Sequence, residues 1–289
     1  MTGRTLDPDD FFAAMRPRLH RYCARMVGSS FDGEDVVQEA LAKAAIALRD
    51  QVETVERPEN WLFRIAHNAA LDMLRRRKRE SIDEVDIDST NVADPAAAAD
   101  AHVAAAASLA TFLGLPPSQR GCVVLSDIFG HSAEETSDIL GISIPAVKAA
   151  LHRGRARLKA LAVATEMPVI AAADRERLRA YADAFNARDF DALRALLAED
   201  VRLDLVARTK LDGKKDVSVY FTRYDSSSDW RFTPAFADGR PALLVSVSPA
   251  ATSAFRYVVL LDWSGERIAA IRDFRFATYI MDGLAISPL

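Results

Sequence analysis

The sequence predicts a multidomain protein of 289 residues, two all-α blocks followed by a separate α+β domain. Helical spacing of apolar residues runs through residues 8 to 79 and returns from 108 to about 161, which gives the two helical blocks. Between them, from Glu80 to Gln119, there is no lysine or arginine, so an abrupt change of composition separates the blocks. After Asp200 the pattern alternates: Val201, Leu203 and Leu205 are interleaved with Arg202 and Asp204, and that period of two marks strands.

In the first block, Phe11, Phe12, Met15 and Leu19 recur at helical spacing, and Tyr22 and Met26 extend the stripe until Gly28-Ser29-Ser30 breaks it. A second helix is expected from near Asp32, where Asp32-Gly33-Glu34-Asp35 places acids at a helix start. A third begins near Pro58 and carries the basic run Arg75 to Arg79. Residues 81–107 read as an acidic flexible linker with an alanine-rich end able to form a helix. The last block, 174–289, opens with two amphipathic helices, one marked by Leu178, Tyr181, Ala182 and Phe185, the other by Phe190, Leu193, Leu196 and Leu197. Strands are expected at 242–247, 255–261 and 267–276, with turns at Asp238-Gly239 and Ser264-Gly265. The boundaries that follow are 1–80, 81–107, 108–163 and 174–289.

Composition narrows the function. The formal net charge of -4 excludes a uniformly basic coat, so any nucleic-acid surface is local. Cys23 and Cys122 stand far apart with no CxxC pair, and the five histidines show no ligand spacing, so neither a disulfide framework, a metal site nor a cofactor is expected. The N-terminus has no apolar signal region and no 18-residue apolar run occurs, which points to a cytoplasmic protein without membrane contact.

The most specific motif is a helix-turn-helix over residues 132–159. Ser132 and Glu135 form a capping box for a helix from Ala133 to Leu140, Gly141 supplies the turn, Ser143 caps the second helix, and Pro145 sits in its first turn. Val147, Leu151 and Leu158 form the buried side of that second helix, while Lys148, His152, Arg153, Arg155, Arg157 and Lys159 give it a cationic face suited to the major groove. The alternative is a helical pair with a solvated basic face. A second signal lies in residues 58–79, where Leu62, Ile65, Ala66 and Ala69 line one face and Arg64, Asn68, Asp72, Arg75, Arg76 and Arg79 another. With Trp61, Phe63 and His67 beside it, that face suits a nucleic-acid backbone track, unless the aromatics are core and the arginines merely solvated.

DGEDVVQEALAKA (32–44) followed by ENWLFRIAHNAALDMLRRRKR (59–79) resembles the helices of sigma domain 2, and residues 115–159 resemble sigma domain 4. Their order matches the extracytoplasmic-function RNA polymerase sigma factors. The resemblance implies that the chain is not itself an enzyme, with core RNA polymerase and promoter DNA as partners. On matching positions, Asp35, Gln38 and Glu39 would meet the β′ clamp helices, and Arg64, Asn68, Asp72, Arg75, Arg76 and Arg79 the −10 element, with base capture in the loop from Asp50 to Asn60. Ser143, Lys148, His152, Arg153 and Arg155 would meet the −35 element, although Ala149, Ala150 and Pro145 stand where relatives often carry polar residues. The acidic linker is either a solvated tether or a mimic of nucleic acid threading toward the polymerase active centre.

Residues 174–289 resemble the SnoaL-like branch of the nuclear-transport-factor-2-like fold, a cone formed by a curved sheet and helices around an internal pocket, whose ligand here is unknown. Asp204, Asp273, Arg208, Arg272 and Tyr257 are the residues a catalytic reading would use, but the block holds no histidine and paired Asp and Arg more often serve structure. The resemblance implies a built-in control element, with Asp212, Gly213 and Lys214 as its contact loop, where a plain hairpin turn is the other reading. Two rival functions stay open from sequence: a one-component ligand-sensing DNA-binding regulator, and a SnoaL-like enzyme fused to a DNA-binding module.

Overall fold

The computed structural model describes residues 7–50, 56–80, 107–161, 171–225, 229–247 and 255–289. The chain divides into two units, Met1–Thr165 and Glu166–Leu289. The expected linker at 81–107 lies, except for residue 107, outside the described residues, as do residues 51–55 of the expected base-capture loop.

The first unit begins with three long helices, α1 (Pro8–Val27), α2 (Ser30–Asp50) and α3 (Pro58–Glu80). Asp7 caps α1 through a side-chain bond from the Asp9 amide, and Gly28 ends it in the left-handed conformation, its N–H on the Ala24 carbonyl at 2.7 Å. Helix α2 starts at Ser30, earlier than expected, because the Ser29 hydroxyl accepts from the Asp32 amide at 3.3 Å. The acids Asp32 to Asp35 therefore lie within the helix and do not cap it. Gly33 sits where α1 and α2 cross: a Cβ there would stand 2.6 Å from the Ala24 backbone, so only glycine permits that approach.

Four further helices complete the unit among the described residues. They are α4 (Leu109–Leu113), α5 (Pro117–Val123), α6 (Ala133–Leu140) and α7 (Ile144–Leu161), with a π-helical turn at Val124–Ile128 after α5. The two helical blocks share one hydrophobic core. Met15, Leu19, Tyr22, Leu62, Phe63 and Ala66 pack in the same buried cluster as Phe112, Leu115, Val124, Ile139 and Leu158. Arg120 of α5 is buried at this junction without a carboxylate, and its guanidinium donates to the carbonyls of Met26, Leu113 (3.1 Å) and Leu115 (2.7 Å). Two of those carbonyls belong to the C-terminal ends of α1 and α4, where the helix dipole favours a cation. Burial lowers the Arg120 pKa to about 10, so the group stays charged at neutral pH.

The second unit is α+β. It contains α8 (Ala172–Asn186), α9 (Phe190–Ala195) and α10 (Lys214–Asp225), and strands β1 (Leu197–Leu205), β2 (Thr209–Asp212), β3 (Trp230–Ala237), β4 (Arg240–Val247), β5 (Tyr257–Ser264), β6 (Arg267–Asp273) and β7 (Ile286–Pro288). The strand order is β2-β1-β6-β5-β4-β3-β7, with β1 and β6 parallel and the other neighbours antiparallel. One sheet face packs on the helices: Tyr181 and Phe185 of α8, and Val217, Phe221 and Tyr224 of α10, join Leu203, Phe232, Leu243, Val245, Val259 and Ile271 in one core. Phe185 stacks on Phe232 with ring centres 3.7 Å apart.

Here the structure departs from the sequence reading at several places, α10 and β7 among them, where no element was expected. Leu197 begins β1 and does not extend α9, β3 fills a stretch left without an element, and Asp212-Gly213-Lys214 is not a hairpin turn. Gly213, at φ 85°, turns β2 into α10, donating its N–H to the Val201 carbonyl at 2.8 Å. The stripe Val217, Tyr220, Phe221, Tyr224 has helical spacing and is buried, which explains why a helix follows the turn.

Candidate nucleic-acid interface

Helix α3 divides along its length into a buried side and a charged side. Leu62, Phe63, Ala66, His67, Ala69 and Ala70 are buried, while Arg64, Asn68, Arg75, Arg76 and Arg79 are exposed and Asp72 is half-exposed. Phe63 and His67 are buried and do not lie on the cationic face, which corrects the stacking alternative for these two and agrees with the aromatics being core. Phe63 is enclosed by Tyr22, Phe129 and His131, with ring centres at 5.6, 5.5 and 5.4 Å, so it cannot stack on a base. The Tyr22 hydroxyl meets His67 Nδ1 at 2.7 Å, and burial, then the Arg75 charge, lowers the His67 pKa to about 4. Trp61 is half-buried against the same core.

Several of the cations already have acidic or carbonyl partners within the unit. Arg75 meets Asp72 at 3.0 Å, Arg76 meets Glu39 at 2.8 Å, and Arg77 meets Asp32 at 2.7 Å. Arg64 donates to the Asp138 carbonyl, and Arg57 pairs with the Asp138 carboxylate at 2.9 Å. Exposed pairs of this kind exchange readily, since each contributes about 0–1 kcal/mol. Phosphates can therefore displace them.

On α2, Asp35, Gln38 and Glu39 occupy one half-exposed face, as their spacing of three and four requires. Glu39 is held below its ordinary carboxyl range by its hydrogen bond from Lys43 and then that from Arg76, against an opposing effect of burial. The structure thus joins two sets that the sequence reading kept apart, because Glu39, expected at the polymerase, pairs with Arg76, expected at DNA. Glu34, missed as a partner from sequence, is fully buried and pairs with Arg16 at 2.7 Å.

The helix-turn-helix forms as its local chemistry dictates. The Ser132 hydroxyl accepts from the Glu135 amide at 3.1 Å and the Glu135 carboxylate accepts from the Ser132 amide at 2.9 Å, closing the capping box. Gly141 adopts φ 68° at the end of α6. The Ser143 hydroxyl accepts from the Ala146 amide at 3.4 Å, and Val147 and Leu158 of α7 are buried. Ser143, Lys148, Arg153 and Arg157 are exposed, whereas His152 and Arg155 are half-buried. In its N-terminal half Pro145, Ala146 and Lys148 are exposed, the end of such a helix that enters the major groove.

In the second unit, the residues of the catalytic reading fall into different groups. Asp204 lies near Lys210 at 3.7 Å and Arg272 at 4.0 Å, and Arg208 lies over the Phe276 ring. Asp273 is fully buried and accepts from the hydroxyls of Tyr220 (2.8 Å) and Tyr224 (3.1 Å) and from the Arg275 amide (2.8 Å). Tyr257 joins through Tyr224 at 3.0 Å, and burial raises the Asp273 pKa above the ordinary carboxyl range. In the contact loop, Lys214 pairs with Glu199 at 3.1 Å and Asp212 is exposed. Among the described residues no group of three or more His, Cys, Asp or Glu side chains is placed to hold a metal ion, and no helix is long and apolar enough to cross a membrane.

Comparison with known proteins places these elements in families. The family model for Sigma-70 region 2 matches residues 11–80, that for Sigma-70 region 4 matches residues 109–158, and that for the SnoaL-like domain matches residues 178–271. The chain is 35% identical over 157 residues to the ECF RNA polymerase sigma factor SigE of Mycolicibacterium smegmatis, a match covering 52% of this chain and 60% of that one. It is 30% identical over 161 residues to the ECF RNA polymerase sigma factor SigW of Bacillus subtilis, covering 52% of this chain and 86% of that one. Among solved structures, the extracytoplasmic function sigma factor SigJ of Mycobacterium tuberculosis aligns over 94% of this chain and 99% of its own, at 22% identity and a TM-score of 0.38. With regions 2 and 4 in order on two all-α blocks and a SnoaL-like α+β domain after them, this chain belongs to the ECF RNA polymerase sigma factors.

Proposed function

We propose that this protein directs core RNA polymerase to promoters through two separate helices of its first unit, and that its SnoaL-like domain controls that activity in cis. The observation that carries the promoter reading is the pair of exposed cationic helix faces, one on α3 and one on α7, each mounted on a buried apolar side. On this reading Arg64, Asn68, Asp72, Arg75, Arg76 and Arg79 track the −10 strand, with Asp72 ordering the Arg75 guanidinium at 3.0 Å. Ser143, Lys148, His152 and Arg153 meet the −35 element in the major groove. Asp35, Gln38 and Glu39 dock on the β′ clamp helices. The factor supplies recognition and strand opening, and the polymerase supplies the chemistry.

Control in cis is supported by the fusion of a SnoaL-like domain to the two sigma regions and by the Asp212-Gly213-Lys214 junction, whose Asp212 is exposed. The test is promoter-specific run-off transcription with core polymerase, comparing the full chain with residues 1–165, a unit that carries its own hydrophobic core. The proposal expects run-off by both chains at the same start site but at different yields. Equal yield across concentrations removes control in cis, and absence of any chain-dependent start site removes the promoter reading.

A further inference from the structure

Arg155 lies on the same helix as Lys148 and Arg153, but its guanidinium is engaged inside the unit. Its Nε donates to Asp127 Oδ2 at 3.0 Å and an Nη donates to Oδ1 at 2.5 Å, the two-pronged geometry in which guanidinium and carboxylate match best. The Asp127 side chain is only 3% exposed and that of Arg155 23%, so water competes weakly for the pair. Asp127 rides on the π-helical turn Val124–Ile128, a deviation from α-geometry of the kind that often marks functional places. Ser126 of that turn meets Thr136 of α6, hydroxyl to hydroxyl, at 3.3 Å. The turn is thus tied to both helices of the motif.

The neighbouring residue adds a second constraint. A Cβ at Gly154 would stand 2.7 Å from the Val123 side chain and 3.3 Å from the Gln119 carbonyl, so α7 lies against α5 as closely as a bare backbone permits. Contact at Gly154 sets the separation of the two helices, while the fork at Arg155 sets the rotation of α7 about its own axis. Rotation matters because successive residues stand about 100° apart on a helix of 3.6 residues per turn. A modest roll carries Lys148, His152 and Arg153 away from the bases they would address.

We infer that Arg155 is a positioning residue, which with Asp127 sets the roll of the recognition helix, and is not a phosphate contact. The inference rests on the reading of α7 as the −35 helix. It uses a residue type that favours the role, since lysine cannot reproduce the fork.

The experiment uses holoenzyme assembled from core polymerase and the full chain. Its probes are a genomic promoter fragment that supports run-off and the same fragment with its −35 segment scrambled. Binding of Arg153→Ala, Arg155→Lys, Arg155→Ala and Asp127→Asn is measured on both across a salt series, at a temperature where circular dichroism shows each variant folded. Arg153→Ala should lower the slope of log affinity against log salt by about one, as loss of a phosphate contact does. Arg155→Lys and Asp127→Asn should leave that slope unchanged and cut the ratio of promoter to scrambled affinity about tenfold or more. A merely structural loss lowers the folded fraction, reduces both affinities equally and leaves the ratio intact. An intact ratio in Arg155→Lys, or a slope reduced in Arg155→Ala as in Arg153→Ala, overturns the positioning role. A wild-type ratio near one removes the −35 reading itself and the positioning role with it.

Discussion

Replacing His67 by glutamine should remove a specific part of the acid sensitivity of the first unit. His67 is 6% exposed, shares a hydrogen bond at Nδ1 with the Tyr22 hydroxyl, and has its pKa lowered to about 4 by burial and by Arg75. An unfolded histidine titrates near 6.5, so protonation favours the unfolded chain. Stability from this group is complete above about pH 6.5 and falls progressively as pH drops toward 4, below which no further loss occurs. Linkage over that interval amounts to about 3 kcal/mol, a large share of the roughly 5–15 kcal/mol that holds a domain folded. Glutamine keeps an amide able to accept from or donate to Tyr22 but cannot gain a proton. The assay is urea unfolding of residues 1–165 between pH 4 and 7.5, followed by fluorescence of Trp61, the one tryptophan in that span. His67→Gln should be the less stable protein at pH 7.5, with the difference shifting by about 3 kcal/mol in its favour toward pH 4. Other acidic groups cancel in the difference between the two proteins. Parallel stability curves across the range would refute the buried, neutral histidine.

Three other substitutions have defined consequences. Gly33→Ala gains about 1 kcal/mol of helix propensity but drives a methyl group to 2.6 Å from the Ala24 backbone, so urea denaturation should show a net loss of about 1–2 kcal/mol. Arg16→Ala removes the 2.7 Å ion pair of the fully buried Glu34 carboxylate and should cost about 3 kcal/mol in the same measurement, whereas Arg18→Ala, whose pair with Glu59 is exposed, should cost less than about 1 kcal/mol. Asp273 has a raised pKa, so its contribution to the second unit is complete below the unfolded carboxyl range and is lost as pH rises through the folded value. Asp273→Asn should therefore flatten the decline of that unit's thermal stability as pH rises above the unfolded carboxyl range, as followed by calorimetry.

The features legible in the sequence were those decided by neighbours along the chain. The capping box at Ser132 and Glu135, the turn at Gly141 and the apolar stripe of α3 depend on residues three or four positions apart, and each forms as expected. What stayed hidden depends on partners far away in sequence. Glu34 finds Arg16 across 18 positions, Arg155 finds Asp127 across 28, and Arg120 reaches the Met26 carbonyl across 94. Nothing in the local pattern distinguishes Phe63 as core from Phe63 as a stacking platform, because that depends on Phe129 and His131 closing over it. In the second unit α10 went unread although Val217, Tyr220, Phe221 and Tyr224 stand at helical spacing, and the Asp273 network draws on α10, β5 and β6 and has no local signature. Pro234 and Thr233 interrupt the apolar alternation of β3, which hides a strand whose partners lie on β4 and β7.

Division of labour between α3 and α7 is open to direct test by footprinting the holoenzyme on one promoter, with permanganate reporting strand opening. Wild-type protein should protect an upstream segment and, separately, expose reactive thymines near the start site. Lys148→Ala with Arg153→Ala should weaken the upstream protection while opening persists on tight binding, and Arg75→Ala with Arg76→Ala should suppress opening while upstream protection remains. Loss of both signals in both variants, or of neither, would contradict two helices reading two promoter elements.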